Sequence, residues 1–502
     1  LFGSEGKTSI RGGYSISYLR DGLTVHRLMM TNNPGLTTNV VNTVPTGVLS
    51  ATTNLITVPK FTTPITDAEN FQRNNFSNML VYEPKLRTPY VQQWSFGIER
   101  EIVGKIAIEA RYVGNHAVKL YRSYDINEGN IFENGFLQEF LNAQKNLTAN
   151  RGTTFAPGAT GTVALPIFST LFAGLPAGSG FANSTFINNL LQNRVGDTTF
   201  ILRTSPVYAT NRARLTPNFF AANPNTNTAL IMGNGASSNY HSLQVEMRRR
   251  FSNGLLMQAA YTFSKAITDT EGSTDNFEPY RTLRNLRLDR HRADFDITHT
   301  FISNFIYELP VGPGRRFAND GPTLWRKVVE GWQTQGIVSW HSGPPVFATS
   351  GRTTVNHQLF MNPAQLLNMS FADFKQNVGI YKTPAGVFFF NPNRINITTN
   401  ANGTLQAATL KDGILGSPAP GQFGNFPRNA INAPSFFQVD FGVLKRTRIT
   451  ERANVEFRME FFNLCNTVNF GSGSLSFDAT RFGQITGTFG SRFGQMALRI
   501  NF

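Results

Sequence analysis

On both sides of Ser252-Asn253-Gly254 the chain alternates apolar and polar residues, and the two runs agree about which side is apolar. Counting outward from Asn253 opposes Phe251 to Leu255, Met247 to Ala259, Val245 to Tyr261 and Leu243 to Phe263. The intervening residues oppose Arg248 to Gln258, Glu246 to Ala260, Gln244 to Thr262 and Ser242 to Ser264. A slip of one residue would exchange the faces, so this agreement predicts a β-hairpin and its register. Around Val103-Gly104 the same construction sets Trp94, Phe96 and Ile98 against Tyr112, Ala110 and Ile108. A third hairpin turns near Pro310 to Gly314, with Phe301, Ser303, Phe305, Tyr307 and Leu309 before it and Trp332, Thr334, Gly336, Val338 and Trp340 after it. A fourth turns at about Arg446 to Thr450, between Phe437, Val439, Phe441, Val443 and Ala453, Val455, Phe457, Met459, Phe461. Ile10, Tyr14, Ile16 and Tyr18 open the chain in one strand, and Met496, Leu498, Ile500 and Phe502 close it in another.

About ten strands result. Their connections are of two kinds. Stretches 19–88, 114–239, 265–297, 342–435 and 463–492 are long and rich in Asn, Thr, Gly and Pro, and they alternate strictly with the short turns. In an antiparallel meander that puts every tight turn on one rim and every long loop on the other, with Phe502 finishing on the tight-turn rim. Soluble sandwiches and propellers also alternate, yet a sandwich does not explain one-sided loops, and no blade-length repeat is present. An outer-membrane barrel requires this asymmetry together with an apolar outer band and aromatic girdles. No helical period of comparable length competes, and no run of about 18 apolar residues offers a membrane helix. The hydrophobic fraction of 40% with 12% aromatic residues, 44 of them Phe, fits strands that are apolar on one side only.

The net charge of +15 has no clustering that suits nucleic acid: Arg248-Arg249-Arg250 is the densest run, and no basic tail or zinc-finger spacing accompanies it. Nucleic acid is therefore not an expected partner. One cysteine, Cys465, excludes an internal disulfide and any CxxC motif. The opening LFGSEGKTSIRGG lacks the features of a signal peptide, which predicts a processed chain or a fragment. His291 and His299 stand among Asp289, Asp294 and Asp296, but their spacing matches no ligand pattern and reads as a solvated loop base. No nucleophile elbow, HExxH or P-loop string occurs, so we expect no catalytic residues, no metal and no cofactor.

Several strings resemble one family. They are SIRGGYSISY (Ser9 to Tyr18), TPYVQQWSFGIERE (Thr88 to Glu101), ARYVGNHAVKLYRSYDIN (Ala110 to Asn127), YHSLQVEMRRRFSNGLLMQAAYTFSKA (Tyr240 to Ala266), the run from Phe457 to Gly471 and the ending GQMALRINF. In this order they resemble the Oar-like β-barrel of TonB-dependent outer-membrane transporters. Arg458-Met459-Glu460-Phe461-Phe462-Asn463-Leu464 resembles that family's penultimate-strand motif, with Cys465 where an aromatic residue is usual; a buried or lipid-facing thiol there would act as a small hydrophobe. The resemblance implies an all-β, antiparallel transmembrane barrel of 22 strands with a plug and long extracellular loops. Residues 1–502 would then be the C-terminal part of one barrel, with plug, TonB-binding segment and N-terminal strands lying upstream.

It also implies an active transporter in the outer membrane of a Gram-negative bacterium, taking up a large or scarce solute, carbohydrate or peptide, through TonB. A surface adhesion or binding protein and a passive porin are the rival readings. Expected partners are outer-membrane lipid and lipopolysaccharide, the TonB system through the upstream region, the barrel-assembly machinery and an unidentified solute. Glu246, Arg248, Asp440, Glu456, Arg458 and Glu460 are the lumen-facing candidates, pairing with one another or with a plug. Arg249 falls on the apolar face beside a turn, where it can snorkel. Trp94, Tyr112, Tyr261, Phe263, Trp332 and Trp340 are girdle candidates, and Leu498, Ile500 and Phe502 form the expected assembly signal.

Overall fold

The computed structural model describes residues 6–19, 33, 78–103, 105–270, 279–357, 362–451 and 453–502. Most of the 19–88 connection and Gly104 lie outside the described residues. Ten long strands follow one another through a single antiparallel path: β1 (Thr8–Tyr18), β2 (Tyr90–Ile102), β3 (Ile106–Asp125), β4 (Ala229–Ser252), β5 (Leu255–Thr268), β6 (His299–Glu308), β7 (Trp332–His341), β8 (Phe436–Arg448), β9 (Asn454–Phe462) and β10 (Phe493–Asn501). Each strand pairs with its neighbour in sequence. β1 and β10 are the outer members, so among the described residues the sheet is an open arc. Two short pieces join it at the long-loop end: Met79–Tyr82 runs parallel to β4, and His291–Arg292 pairs with β5.

The β4–β5 register is the one the alternation predicts from Met247↔Ala259 through Ser242↔Ser264. Nearer the turn it differs. Ser252, not Phe251, opposes Leu255, because a bulge places Arg250 and Phe251 opposite Leu256. The turn is a two-residue loop in which Asn253 and Gly254 both have positive φ, 51° and 78°, the left-handed pair whose twist matches that of the flanking strands. A symmetric count from Asn253 assumed three residues; the bulge absorbs the extra one and restores the faces.

The β2–β3 pairing is shifted by two residues from the expectation: Trp94 opposes Gly114, Phe96 opposes Tyr112 and Ile98 opposes Ala110. Both strands run on to Ile102↔Ile106, which tightens the turn, and a two-residue shift keeps every side chain on its expected face. Trp94 fills the space over Gly114, where a Cβ would come within 2.5 Å of the indole Nε1. Phe301↔Trp340, Ser303↔Val338, Phe305↔Gly336 and Tyr307↔Thr334 follow the expectation for β6–β7. Their connection does not end at Gly314, however, but runs to Gly331 and includes a short helix. In β8–β9, Phe441↔Phe461 and Val443↔Met459 pair as the alternation requires.

The long connections hold the larger departure. Segment 126–228 folds into helices α1 (Phe136–Ala149), α2 (Pro166–Phe172), α3 (Ser184–Leu191), α4 (Val195–Thr204) and α5 (Ala209–Arg212). Phe136, Phe140, Ala143 and Leu147 recur at helical spacing along α1 and are buried with Phe155, Phe168, Phe172 and Phe186. Glu139 of α1 accepts the Ile167 and Phe168 amides at 3.0 and 2.6 Å, closing the exposed N-terminus of α2. Burial pushes its carboxyl above the usual range, against the pull of those two amides. A second core, of Phe374, Phe388, Phe390, Ile395, Phe426 and Phe482, joins 342–435 to 463–492, where Val387 and Phe388 pair with Ile485 and Gln484. The largest fully buried phenylalanines thus lie in loops rather than in the wall. Cys465 is exposed in the turn after β9.

Gly254 provides a direct check on the turn. A Cβ there would sit 2.8 Å from the Glu308 carbonyl oxygen at φ 78°, so Gly254→Val is expected to destabilise the hairpin by about 1–3 kcal/mol. The expected readout is a smaller heat-modifiable, folded fraction after refolding into lipid; an unchanged fraction and unchanged urea midpoint would count against the turn.

Candidate functional site

Because strand side chains alternate, the register assigns each one to a face. One face carries Phe96, Ile98, Tyr112, Leu243, Phe263, Leu498 and Ile500, all well exposed for apolar residues. The other carries the charges. Glu99, Glu109 and Glu246 stand in one row across β2, β3 and β4, an arrangement that would repel without cations between them. Arg248 supplies one, reaching Glu99 and Glu246 at 3.2 Å each and Glu109 at 3.8 Å. Arg11 meets Glu99 from β1 at 3.1 Å, and Arg111 meets Gln244 at 2.7 Å. A second group spans β8 and β9: Arg446 to Glu456 at 2.8 Å, Arg458 to Glu456 at 3.0 Å, and Arg458 to Glu460 at 3.9 Å.

Asp440 accepts from the Gln438 side chain at 2.8 Å and from the Asn463 amide at 2.9 Å, which ties down the bend at the end of β9. All six lumen candidates therefore share the polar face, in two patches separated by β5, β6 and β7. Glu99, Glu109, Arg11 and Arg111 complete the first patch; their place in the same alternating phase was the signal that could have found them.

The aromatic candidates divide between the rims. Trp94, Tyr112, Tyr261, Phe263 and Trp340 lie on the apolar face toward the long loops, and Trp332 lies on that face by the short turns. Trp332 and Trp340 are eight residues apart on β7, about 26 Å along a strand and roughly 20 Å in height once an ordinary barrel tilt is removed. Histidines join the upper belt: Tyr112 Oη lies 2.7 Å from His241 Nδ1 and Tyr261 Oη 2.8 Å from His299 Nδ1. Arg249 also lies on this face, with Nη2 donating to the Ser252 carbonyl at 3.4 Å. Phe502, 94% exposed, follows the last residue of β10 on the short-turn rim.

Above the long-loop rim lies a cavity of about 90 Å³ walled by the end of β3, helix α4 and segments 279–289 and 355–357. Asp289, fully buried, receives three guanidinium groups at its Oδ1: Arg281 Nε at 2.9 Å, Arg122 Nη2 at 3.3 Å and Arg428 Nη1 at 3.8 Å. Arg122 comes from β3, Asp289 from the connection before β6 and Arg428 from the connection before β8, so one carboxylate holds three parts of the chain together. Burial and the neighbouring Arg122 push the Arg428 guanidinium down to about 10. Beside the cavity His357 stacks on Phe200 with centroids 3.7 Å apart and meets Asp197 at 2.7 Å.

The histidine–aspartate stretch singled out in the sequence is not a solvated loop base: Asp289, His291 and Asp296 are buried, and the residues beside Asp289 are held by protein partners. Asp296 pairs with Arg292 at 2.8 Å, Asp294 accepts from Asn429 at 2.5 Å, and His291 Nδ1 lies 2.6 Å from the Asp289 carbonyl oxygen. Among the described residues no three His, Cys, Asp or Glu side chains are grouped to hold a metal ion. The cluster was missed because Arg122 and Arg428 reach Asp289 from more than a hundred residues away; only Arg281, eight residues off, is local.

Fold and site together define the class: an antiparallel wall, apolar on one side and ion-paired on the other, with folded loops on one rim. Residues 2–495 match the outer membrane beta barrel domain, and the chain belongs to that family. The protein accordingly resides in the outer membrane of a Gram-negative bacterium, and the apolar face is the lipid face. No curated protein matches the chain.

Solved structures similar to it include the outer membrane transporter YddB from Escherichia coli, with 9% identity over 99% of this chain and 39% of that one, at a TM-score of 0.42. The siderophore receptor PirA from Acinetobacter baumannii gives 7%, 98%, 39% and 0.35. For the ferric enterobactin receptor PfeA from Pseudomonas aeruginosa the values are 7%, 99%, 38% and 0.35. The chain thus spans about two fifths of the length of these three proteins.

Removing the shared carboxylate should release the loops without opening the wall. Asp289→Asn leaves buried guanidinium groups without that partner, a change expected to cost about 3 kcal/mol or more. Limited proteolysis should then cut within 126–228 and 342–435 at least tenfold faster, while strands remain protected by lipid; equal cutting rates in both proteins would argue against the cluster.

Proposed function

We propose that this chain is the C-terminal wall of a 22-stranded, TonB-dependent, Oar-like outer-membrane transporter. The observation that carries the reading is the combination of an open ten-strand arc with two aromatic-cored folded connections, 126–228 and 342–435, on one rim. In lipid an unpaired strand edge is costly, so both outer strands call for partners, and further strands of a larger cylinder satisfy them. An upstream plug would face the polar wall, and coupling to TonB would run through that plug. The wall charges then serve mainly to neutralise one another, since each of Glu246, Arg248, Glu456, Arg458 and Glu460 has a partner on the wall itself.

The long loops would make the first contact with the solute. Their Asn, Thr and aromatic content favours a ligand rich in hydrogen-bonding groups, and we assign it to the carbohydrate or peptide class. Lipopolysaccharide would surround the upper aromatic belt. Catalysis has no part in this reading. Uptake assays in the native host test it: deleting the gene should abolish accumulation of one member of a labelled panel of oligosaccharides, peptides and siderophores, and loss of TonB should do the same. Accumulation that persists without TonB would identify a passive porin; cell adhesion without any uptake defect would identify a surface binding protein.

Phe502 we assign to recognition by the barrel-assembly machinery, with Leu498 and Ile500 on the same face of β10. Deleting Phe502 is expected to lower the outer-membrane, heat-modifiable form several-fold without altering synthesis. Normal assembly of the truncated protein would overturn this assignment.

A further inference from the structure

The connection between β6 and β7 is out of keeping with its rim. Its counterparts at Asn253-Gly254 and 449–453 are tight turns, whereas 310–331 contains a helix, α6 (Thr323–Val329), that has no buried residue. Two side chains from the lipid face hold this helix. Trp332 Nε1 donates to the Val328 carbonyl at 2.9 Å. Lys445 Nζ donates to the carbonyls of Lys327 and Val328 at 2.9 Å and of Glu330 at 2.8 Å, capping the helix C-terminus with a cation. Trp332 and Lys445 oppose each other across β7 and β8, with Nζ 5.0 Å from the indole centroid.

Both anchors leave the sheet on the apolar side, so α6 stands on the lipid side of the wall at the short-turn rim. It is also held close. Gly331 has φ 72°, and a Cβ there would fall 2.0 Å from the Arg446 carbonyl oxygen.

Leu324, Trp325 and Val328 share one side of the helix and are 82%, 50% and 56% exposed. Of the cations in 310–331, Arg315 pairs with Glu308 at 3.0 Å and Lys327 with Glu330 at 3.1 Å, which leaves Arg316 and Arg326 against Asp320, a net of 2 − 1 = +1. Arg100 and Arg249 lie on the same sheet face near the same rim, so the cationic band continues beyond the helix. An amphipathic surface with tryptophan on its apolar side and basic residues around it matches a bilayer interface containing anionic lipid.

We propose that α6 is an interfacial anchor seated in the headgroup layer of the periplasmic leaflet, with Leu324, Trp325 and Val328 at the acyl boundary and the neighbouring cations on anionic phospholipid headgroups. A seven-residue helix is too short to hold its shape alone in water; the wall supplies the order in advance through Trp332 and Lys445. This goes beyond transport and does not depend on it, because the occupant is lipid.

The test places the intact protein in phosphatidylethanolamine vesicles, with or without phosphatidylglycerol, carrying a nitroxide on the headgroup or deep in the acyl chain. Tryptophan emission is compared between the wild type and Trp325→Phe, and heat-modifiable migration verifies folding of each. The wild type should show a component quenched by the headgroup nitroxide and missing from the variant, with stronger quenching when phosphatidylglycerol is present. Leu324→Asp with Val328→Asp should shift that component toward the emission of tryptophan in water. Emission from Trp325 that neither nitroxide quenches would overturn the anchor and leave this face to an aqueous protein partner. Quenching indifferent to phosphatidylglycerol would overturn the anionic-lipid assignment.

Discussion

Hydrocarbon offers no hydrogen bonds to a peptide group, and each amide left without a partner inside it costs several kcal/mol. The rest of this structure follows from meeting that demand with strands. Each must pair along its whole length with a neighbour, and the simplest neighbour is the next strand in the chain, which yields the unbroken β1-to-β10 order. Alternation then ceases to be a matter of preference: with lipid on one side and water on the other, one residue in two must be apolar. The same demand explains why adjustments occur near the turns. The bulge beside Arg250 and Phe251 costs little there, and it protects the face assignment of every residue further up the hairpin.

Outside the bilayer the constraint lifts, and the connections become free to bury their own apolar groups. They do so as aromatic clusters. Phe155 and Phe168 pack edge to face at 5.2 Å in the helical segment, and Phe390 and Phe482 at 5.6 Å in the other core. Val355 belongs to the helical core although it lies in the 342–435 connection, and Gly196 donates to the Thr353 carbonyl at 2.8 Å. The long loops are therefore joined to one another as well as to their strands. A surface built in this way can present a preformed site at the mouth of the wall, because the entropy of ordering the loops has already been met by their own cores.

The wall was legible in the sequence because a period of two is a local signal that a few residues suffice to display. Leu243, Val245 and Met247 against Phe263, Tyr261 and Ala259 can be paired on paper, and they pair in the protein. The β2–β3 shift of two residues was not legible, since both registers keep Trp94, Phe96 and Ile98 on the same face and the difference lies in turn geometry. Helix α1 could have been found: Phe136, Phe140, Ala143 and Leu147 carry its period, but the Asn- and Gly-rich flanks obscured it. The meeting of Asp289 with Arg122 and Arg428 could not, because nothing local marks residues that meet only after the strands have been set side by side.

Charge shows how these parts divide their tasks. On the polar face Arg11, Arg111, Arg248, Arg446, Arg448, Arg458 and Arg499 stand with Glu99, Glu101, Glu109, Glu246, Glu308, Asp440, Glu456 and Glu460, seven cations against eight carboxylates. These groups leave the wall close to neutral, so the +15 of the chain belongs chiefly to the connections, the rims and the few basic residues of the lipid face. A near-neutral, ion-paired wall is hydrated without a strong net field of either sign, since paired charges produce a field that falls off within a short distance of the surface. The loops differ in this respect, since they bury arginines around Asp289 where water cannot screen them. The excess positive charge thus sits where the chain leaves the bilayer, in the connections and at the rims, and the balanced charges sit in the wall between them.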